Sequence, residues 1–404
     1  QETTGGVMCP TYRASEEEIQ STRGRANMLR GAISGEIPDD PTDDEFVTEV
    51  MDLCVGCKGC KKDCPSGVDM AKLKAEVEHA HHEEHGIDLR TRLLGNFESL
   101  APLGSKLAPL SNLPNKIPGA GLLAEKALGI AKERDLPAFR SESLTDWFEA
   151  RGGAGVPRAE ADRDVLLFPD VYTTYTNPGA GKAAVRVLEA ANCHVRIPDV
   201  DGSGRPPHSK GMLEKSRATA RDAVETLSPD IEQGWEVVVV EPSDAVMLQT
   251  DYHDLLDGDA SDVPDADVAA VSDHTYGVME YVDAHRLDEA IDLDAPGERL
   301  TYHGHCHQKA TKKDHHAVGV LRRAGYGVDP LDSSCCGMAG SFGYEAEHYS
   351  MSQAIGRILF DQVDESDGDE VVAPGASCRT QLKERDGSAP EPPHPIEKLA
   401  AALA

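Results

Sequence analysis

The stretch CVGCKGCKKDCP, Cys54 to Pro65, decides how this chain is read. Its four cysteines keep the C-x2-C-x2-C-x3-C-P spacing that wraps a tight loop around a 4Fe-4S cube, because evenly spaced thiolates reach three corners of one cluster. Structural zinc normally takes two separated pairs of Cys or His, so the spacing argues for iron over zinc. In two-cluster ferredoxins the last cysteine of such a run serves the other cluster. Cys54, Cys57 and Cys60 then need a fourth ligand, and Cys9, in MCPTYR and likewise followed by proline, fits that place.

By the same rule Cys64 belongs to a different cube, whose other cysteines are expected shortly before Cys9, where this sequence has none. The chain opens at Gln1 without an initiator Met. Together these two facts lead to the expectation of the downstream part of a longer polypeptide, with one complete ferredoxin site and one orphan ligand.

The formal charge is −31, from 71 acidic and 40 basic side chains spread along the 404 residues. Self-repulsion on that scale needs screening by salt, a balance associated with halophilic proteins. It excludes nucleic acid or an anionic membrane face as the main partner, since both require positive patches. No apolar run approaches the roughly 20 residues that span a bilayer. Nine of the ten cysteines fall into two ligand-like groups, which suits a reducing compartment. The expected location is the cytoplasm, or a peripheral position on the inner face of the cytoplasmic membrane.

Residues 1–90 read as an α-helical ferredoxin-like domain, with helical signals at Ser21–Arg30 and from about Asp69 to His85, where an Asp sits at the positive end of the helix dipole. Residues 91–160, rich in Pro and Gly between 95 and 120, read as a linker with short helices. From Arg163 onward DVLLFPD, CHVRIPD, EVVVVEP, RLTYHG, YGVDPLD and EVVAPG alternate with helical stretches, the pattern of α/β units with parallel sheets. A shift of 133 positions lays VLEAANCHV (Val187–Val195) over VLRRAGYGV (Val320–Val328) and GSG (Gly202–Gly204) over CCG (Cys335–Gly337). The expectation is therefore two repeated α/β units, 161–295 and 296–404.

The second copy has Cys306, Cys335, Cys336 and Cys378 where the first has Val171, Gly202, Ser203 and Asp244. Four soft ligands at strand ends mark a second metal site, the usual position for sites in open α/β sheets. A cluster with four thiolates is the simplest occupant. Zinc, with His303, His305 or His307 as alternative ligands, and a metal-free redox thiol set are the other readings. In a Gly-rich loop such as CCGMAG two adjacent cysteines can turn to one site. The three histidines alternate along HGHCHQ, so on an extended segment they share one face, where they would support the thiolates by hydrogen bonds.

YHGHCHQKA (Tyr302–Ala310), CCGMAGSFGYE (Cys335–Glu345) and SCRTQ (Ser377–Gln381) resemble the cysteine-rich CCG domain pair shared by the glycolate oxidase iron-sulfur protein and by components of anaerobic glycerol-3-phosphate dehydrogenase and heterodisulfide reductase. MCPTYRAS and STRGRANMLR are similar to the carboxy-terminal half of FAD-linked flavoproteins of the D-lactate dehydrogenase and glycolate oxidase type. The resemblance implies a helical ferredoxin domain followed by two CCG domains, the first degenerate. It implies an oxidoreductase part that passes electrons from flavin, after oxidation of a D-2-hydroxy acid such as D-lactate or glycolate, to a quinone or other acceptor. FAD would lie in an upstream domain or on a separate polypeptide, since no G-x-G-x-x-G fingerprint follows a strand here. The first repeat lacks the cysteine pair, and the second ends in Cys378-Arg-Thr-Gln rather than Cys-x-x-Cys, which argues against a five-cysteine cluster. Two alternatives stand beside this reading: the glycerol-3-phosphate dehydrogenase type, which anchors a separate flavoprotein, and a regulatory protein that binds zinc or a cluster without turnover.

Four further features have plainer readings. His79, His81, His82 and His85 lack the Glu of H-E-x-x-H and read as a solvated helix face. PGAGK (Pro178–Lys182) lacks the first Gly and the Ser or Thr of a phosphate loop and reads as a helix start. Lys58, Lys61 and Lys62 read as surface charges beside the cluster loop, able to tune its potential or steer a partner. Cys193 reads as a packing cysteine.

Overall fold

The computed structural model describes residues 9–37, 40–117, 119–258, 262–385 and 390–404. Its first region is helical. Ser21 accepts a hydrogen bond from the Gly24 amide (2.9 Å) and caps the Thr22–Ser34 helix, which Gly35 ends in the left-handed region at φ 71°. Asp69 accepts from the Ala71 and Lys72 amides and caps Met70–His85, placing a carboxylate at the positive end of that helix. Leu29, Phe46, Val50, Met51 and Met70 form a small core under the cluster loop, and Cys60 belongs to it.

Two parallel sheets follow. The first has the order β2-β1-β3-β4, built from Arg163–Phe168 (β1), Cys193–Arg196 (β2), Glu236–Val239 (β3) and Thr275–Gly277 (β4). Val165 pairs with Val195 of β2, and Leu166 with Val237 of β3. Because side chains alternate across a strand, Val165, Leu167 and Val238 enter one core while Leu166, Phe168, Val237 and Val239 enter another. Full burial of each such side chain stabilises by about 1.5–3 kcal/mol, which explains the uninterrupted apolar runs of β1 and β3. The second sheet has the order β6-β5-β7: Arg299–Tyr302 (β5), Gly327–Pro330 (β6) and Glu370–Val372 (β7). One core, containing Val165, Leu188, Leu300, Val372 and Ile396, runs through both sheet units.

The six expected strands are present, and β4 is an additional three-residue edge strand. PGAGK opens the Pro178–Ala190 helix with proline in its first turn, and Cys193 is fully buried at the start of β2.

The stretch read as a linker is instead packed structure. Its helices Leu89–Gly95, Phe97–Lys106 and Ala120–Leu128 lead to an isolated bridge between Ile130 and Glu345. Glu98 is buried and accepts from the Ser203 and Gly204 amides (2.9 and 3.2 Å). The buried Arg134 guanidinium donates to Ser352 Oγ and Gln381 Oε1 (both 2.9 Å) and to the Gly343 carbonyl. Prolines and glycines in this stretch break helices without loosening the chain, since the buried polar side chains anchor it to both sheet units.

The helix carrying His79, His81, His82 and His85 also departs from its plain reading. His82 Nε2 donates to the Lys210 carbonyl (2.9 Å) and His81 Nδ1 to that of Thr42 (2.7 Å), so both rings are half-buried between elements while His85 is exposed. Among the described residues no helix is long and apolar enough to cross a membrane.

Candidate metal centres

Cys9, Cys54, Cys57 and Cys60 line one small cavity together with Arg25 and Met70. Cys9 and Lys58 hold left-handed backbone (φ 65° and 59°), as does Gly56 (φ 60°), and these turns fold the two segments around the cavity. Arg25, 1% exposed, is a buried cation of this site. It donates to Cys9 Sγ (3.4 Å), to the carbonyls of Gln20 and Val50 (2.6 and 2.9 Å) and to Gln20 Oε1 (2.7 Å). Cys60 Sγ accepts from the Met70 amide (3.4 Å), yet burial pushes its thiol up to about 11. Cys57 is pushed well above the usual thiol range by burial, then by Cys306 and by Cys9 and Cys54. Thiols held this high ionise when a cation binds among them, which is the chemistry of a metal-ligand set.

Cys64 lies outside that cavity. Amides of Val68, Ser66 and Gly67 point at its sulfur and hold its thiol below the usual range. The residues ahead of Cys9, where its companions were sought, are outside the described residues.

The second group also converges. Cys306 opens the Cys306–Ala310 helix at the end of β5, Cys335 and Cys336 lie in the loop after β6, and Cys378 sits in the Ala376–Lys383 helix after β7. Gly337 holds φ 92°, and a Cβ there would fall 2.3 Å from the Ser352 carbonyl oxygen, so the CCG turn requires its glycine. Cys335 is pushed up by its hydrogen bond to Cys306, and Cys378 by its hydrogen bond to Cys336. Cys336, which Cys335, Cys378 and His303 all face, is held well below the usual range by them. Ligand atoms of His303, Cys336 and Cys378 lie within 4.8 Å of one another.

The three histidines do not share a face, because the segment turns from strand to helix at His305. His303 joins the sulfurs and binds Ser333 Oγ through Nδ1 (2.6 Å). His305 caps the helix, its Nδ1 accepting from the His307 amide (3.3 Å). His307 leaves the site, and its Nε2 donates to the Gly56 carbonyl in the cluster loop (2.9 Å).

The two cysteine groups are thereby neighbours. The Gly59–Asp63 helix packs on Cys306–Ala310, and both groups border a cavity of about 600 Å³. Lys58, read as a surface charge, is 4% exposed. Its ammonium reaches Asp251 (2.8 Å) and Asp69 (3.2 Å), and Arg205 also pairs with Asp251 (3.1 Å). The left-handed backbone turns Lys58 inward, and only Lys61 and Lys62 remain at the surface.

Residues 6–68 match the family model of the 4Fe-4S dicluster domain, and residues 300–383 that of the cysteine-rich domain. The chain combines these two domains. Among similar proteins, D-2-hydroxyglutarate dehydrogenase of Escherichia coli (strain K12) is 23% identical over 97% of this chain and 41% of its own length. The chain thus spans well under half of that relative. A component of anaerobic glycerol-3-phosphate dehydrogenase from the same strain is 27% identical over 84% of this chain and 83% of its own length. For that strain's glycolate oxidase iron-sulfur subunit the values are 24%, 93% and 86%. By their names these relatives are a dehydrogenase and components of a dehydrogenase and an oxidase.

Sequence reading missed Arg25, Glu98 and Glu241, whose Oε2 accepts from the Ala376 amide (2.9 Å) two residues before Cys378. Arg25 looks like an ordinary surface residue of a polar stretch, and Glu98 like a lone charge in the Pro- and Gly-rich segment. Glu241 carried a signal, since it opens the EPSD segment that ends at Asp244.

Proposed function

We propose that this chain is the iron-sulfur electron-transfer module of a FAD-dependent D-2-hydroxyacid dehydrogenase. The observation that carries the reading is the adjacency of two cysteine groups, Cys9, Cys54, Cys57 and Cys60 beside Cys306, Cys335, Cys336 and Cys378, joined by the His307–Gly56 hydrogen bond. In this reading the first four hold one 4Fe-4S cluster and the second four another, while Cys64 serves a further cluster whose remaining ligands lie elsewhere. When bound, such a cluster stores and releases single electrons at a potential set by its surroundings.

This chain's own residues set those surroundings. The Arg25 guanidinium facing Cys9 favours negative charge there, burial of Cys60, Cys335, Cys336 and Cys378 excludes water, and His303 donates toward Cys336. We read the two sheet units as copies of one repeat, bounded near 161–295 and 296–404, because β2-β1-β3 and β6-β5-β7 share one order and direction. D-2-hydroxyglutarate, D-lactate and glycolate are the candidate substrates, with FAD on an upstream domain and a quinone as acceptor. The 83% coverage of the glycerol-3-phosphate dehydrogenase component favours a second arrangement, in which the chain is a separate polypeptide next to its flavoprotein.

The natural full-length protein, given each hydroxy acid and an artificial acceptor dye, should reduce the dye and develop the electron paramagnetic resonance of reduced 4Fe-4S clusters. Cys57→Ser should abolish both dye reduction and one cluster signal. A protein without iron, or dye reduction untouched by Cys57→Ser, overturns the reading.

A further inference from the structure

Arg25 is a buried charge that the chain itself leaves unpaired. Its guanidinium donates to the Val50 carbonyl (2.9 Å), to the carbonyl and Oε1 of Gln20 (2.6 and 2.7 Å) and to Cys9 Sγ (3.4 Å), and none of these acceptors is a carboxylate. Among the described residues no Asp or Glu forms an ion pair with Arg25, whereas Lys58 pairs with Asp251 and Asp69, Arg134 with Glu384, and Arg379 with Glu391 (3.3 Å). Among the same residues, Arg25 and Lys58 are the charged side chains that line the cavity of Cys9, Cys54, Cys57 and Cys60, and its two carboxylates balance Lys58. Lys74, which reaches the Cys54 carbonyl (2.9 Å), has Glu78 beside it (3.5 Å). Charged side chains are almost never fully buried unless paired, because a lone charge loses its hydration there. The cavity beside Arg25 is therefore short of negative charge.

We infer that Arg25 is the built-in counter-charge of an anion assembled on Cys9, Cys54, Cys57 and Cys60, and that it sets the reduction potential of this first site. The inference rests on the reading of the chain as an electron-transfer module and deepens it by naming the residue that tunes one site. Four ionised thiolates outweigh the positive charge of an iron-sulfur core, so the loaded site is an anion and each electron it accepts makes it more negative. A fixed positive charge against the Cys9 sulfur stabilises the added electron, most strongly where water is excluded. The hydrogen bond to that sulfur acts in the same direction. Thr11, which donates to the Leu53 carbonyl (2.8 Å), also ties the Cys9 arm to the cluster loop, so the position of Cys9 does not depend on Arg25 alone. What Arg25 adds is charge. No bond forms or breaks at it: one electron, derived from the oxidised 2-hydroxy acid, enters the site and later leaves it for the acceptor.

The test is a potentiometric titration of the natural full-length protein, iron-loaded and without oxygen, followed by electron paramagnetic resonance. The first site's signal is the one that Cys57→Ser removes. Arg25→Gln, which keeps hydrogen-bond donors and loses the charge, should lower that site's potential by roughly tenfold or more in its reduction equilibrium, about 59 mV for one electron. Arg25→Lys keeps the charge without the planar fork and should recover about half of the shift or more. The signal of the Cys306, Cys335, Cys336 and Cys378 site should keep its potential in both variants. If Arg25→Gln misfolds, Arg25→Met takes its place, since an apolar side chain of similar length leaves no buried charge behind. A first-site potential indifferent to loss of the charge, equal shifts in the Gln and Lys variants, or an equal shift at both sites overturns the inference. The natural protein's own signals keep the two readings apart: intact clusters with an unmoved potential sink this inference alone, and a natural protein without clusters sinks the electron-transfer reading and the inference with it.

Discussion

Beyond β2 and β3, Ser203 donates to Asp244, both fully buried; beyond β6 and β7, Cys336 and Cys378 are hydrogen-bonded to each other. At the end of β1 the neighbouring helix opens with Val171, and at the end of β5 with Cys306. Both sheets have their first strand between the next two, all parallel, and the atoms at their ends differ. Oxygen atoms satisfy one another: Ser203 Oγ serves Asp244, the Ser203 amide serves Glu98, and the Tyr252 hydroxyl donates to the Ser203 carbonyl (3.0 Å). Sulfur atoms make weak hydrogen bonds and strong bonds to soft metals. The middle unit therefore ends in a closed polar core, and the C-terminal unit in a group of facing thiols.

The largest expected effect breaks this contrast if it is wrong. Cys378→Ser should remove the iron of the C-terminal site, about four atoms per chain for a cubane, and leave the first site's spectrum in place. Asp244→Asn should leave total iron unchanged. Iron analysis of the two variants decides the matter, and equal losses would show that the oxygen end also supports metal.

The next effect concerns protons. Glu98 is pushed up to about 7, first by burial, although the Ser203 and Gly204 amides oppose the shift. Glu241 is pushed up to about 7 by burial and by Asp170. A carboxyl raised in the folded state binds more protons folded than unfolded. Its contribution is fully present below the unfolded value near 4.5 and is lost as pH rises through about 7. For Glu98 alone the loss is on the order of 3 kcal/mol across that window. Denaturant unfolding at pH 5 and pH 8 should show the natural chain losing more stability than Glu98→Gln over the same interval. Parallel losses would mean that Glu98 is solvated in the folded state.

The strands were legible because β1 and β3 are continuous apolar runs, and the convergence of Cys9 with Cys54, Cys57 and Cys60 on one cavity because the spacing of that run demands a tight loop. β4 escaped because Thr275, Tyr276 and Gly277 pair on one side only and carry little apolar pattern. Lys58 was misplaced because its burial depends on Asp251, 193 residues away. The histidines of HGHCHQ were misaligned because alternation holds only in a strand, and the segment becomes a helix at Cys306. The stretch 91–160 reads as a linker by the prolines and glycines between 95 and 120, while its anchors, Glu98 and Arg134, find partners more than 100 residues away. Local spacing survives in sequence, and charge burial depends on distant partners.

The smallest effect sharpens the comparison at a single atom. Ser203→Ala removes the hydroxyl that Asp244 accepts from and that the Arg205 amide donates to (3.1 Å). Asp244 is pushed well above the usual carboxyl range by burial, then by Asp170 and Glu241. Losing the hydroxyl strands one amide and one carboxyl oxygen. The expected cost is about 1–2 kcal/mol, the range for a buried hydrogen-bonding group left without its partner. Ser203→Cys keeps a weak donor in nearly the same volume and should recover part of that loss, while binding no iron. Both follow from denaturant midpoints at unchanged slope. Iron bound by Ser203→Cys would mean that one thiol among these carboxyls suffices for a metal, and that the two sheet ends differ less than their atoms imply.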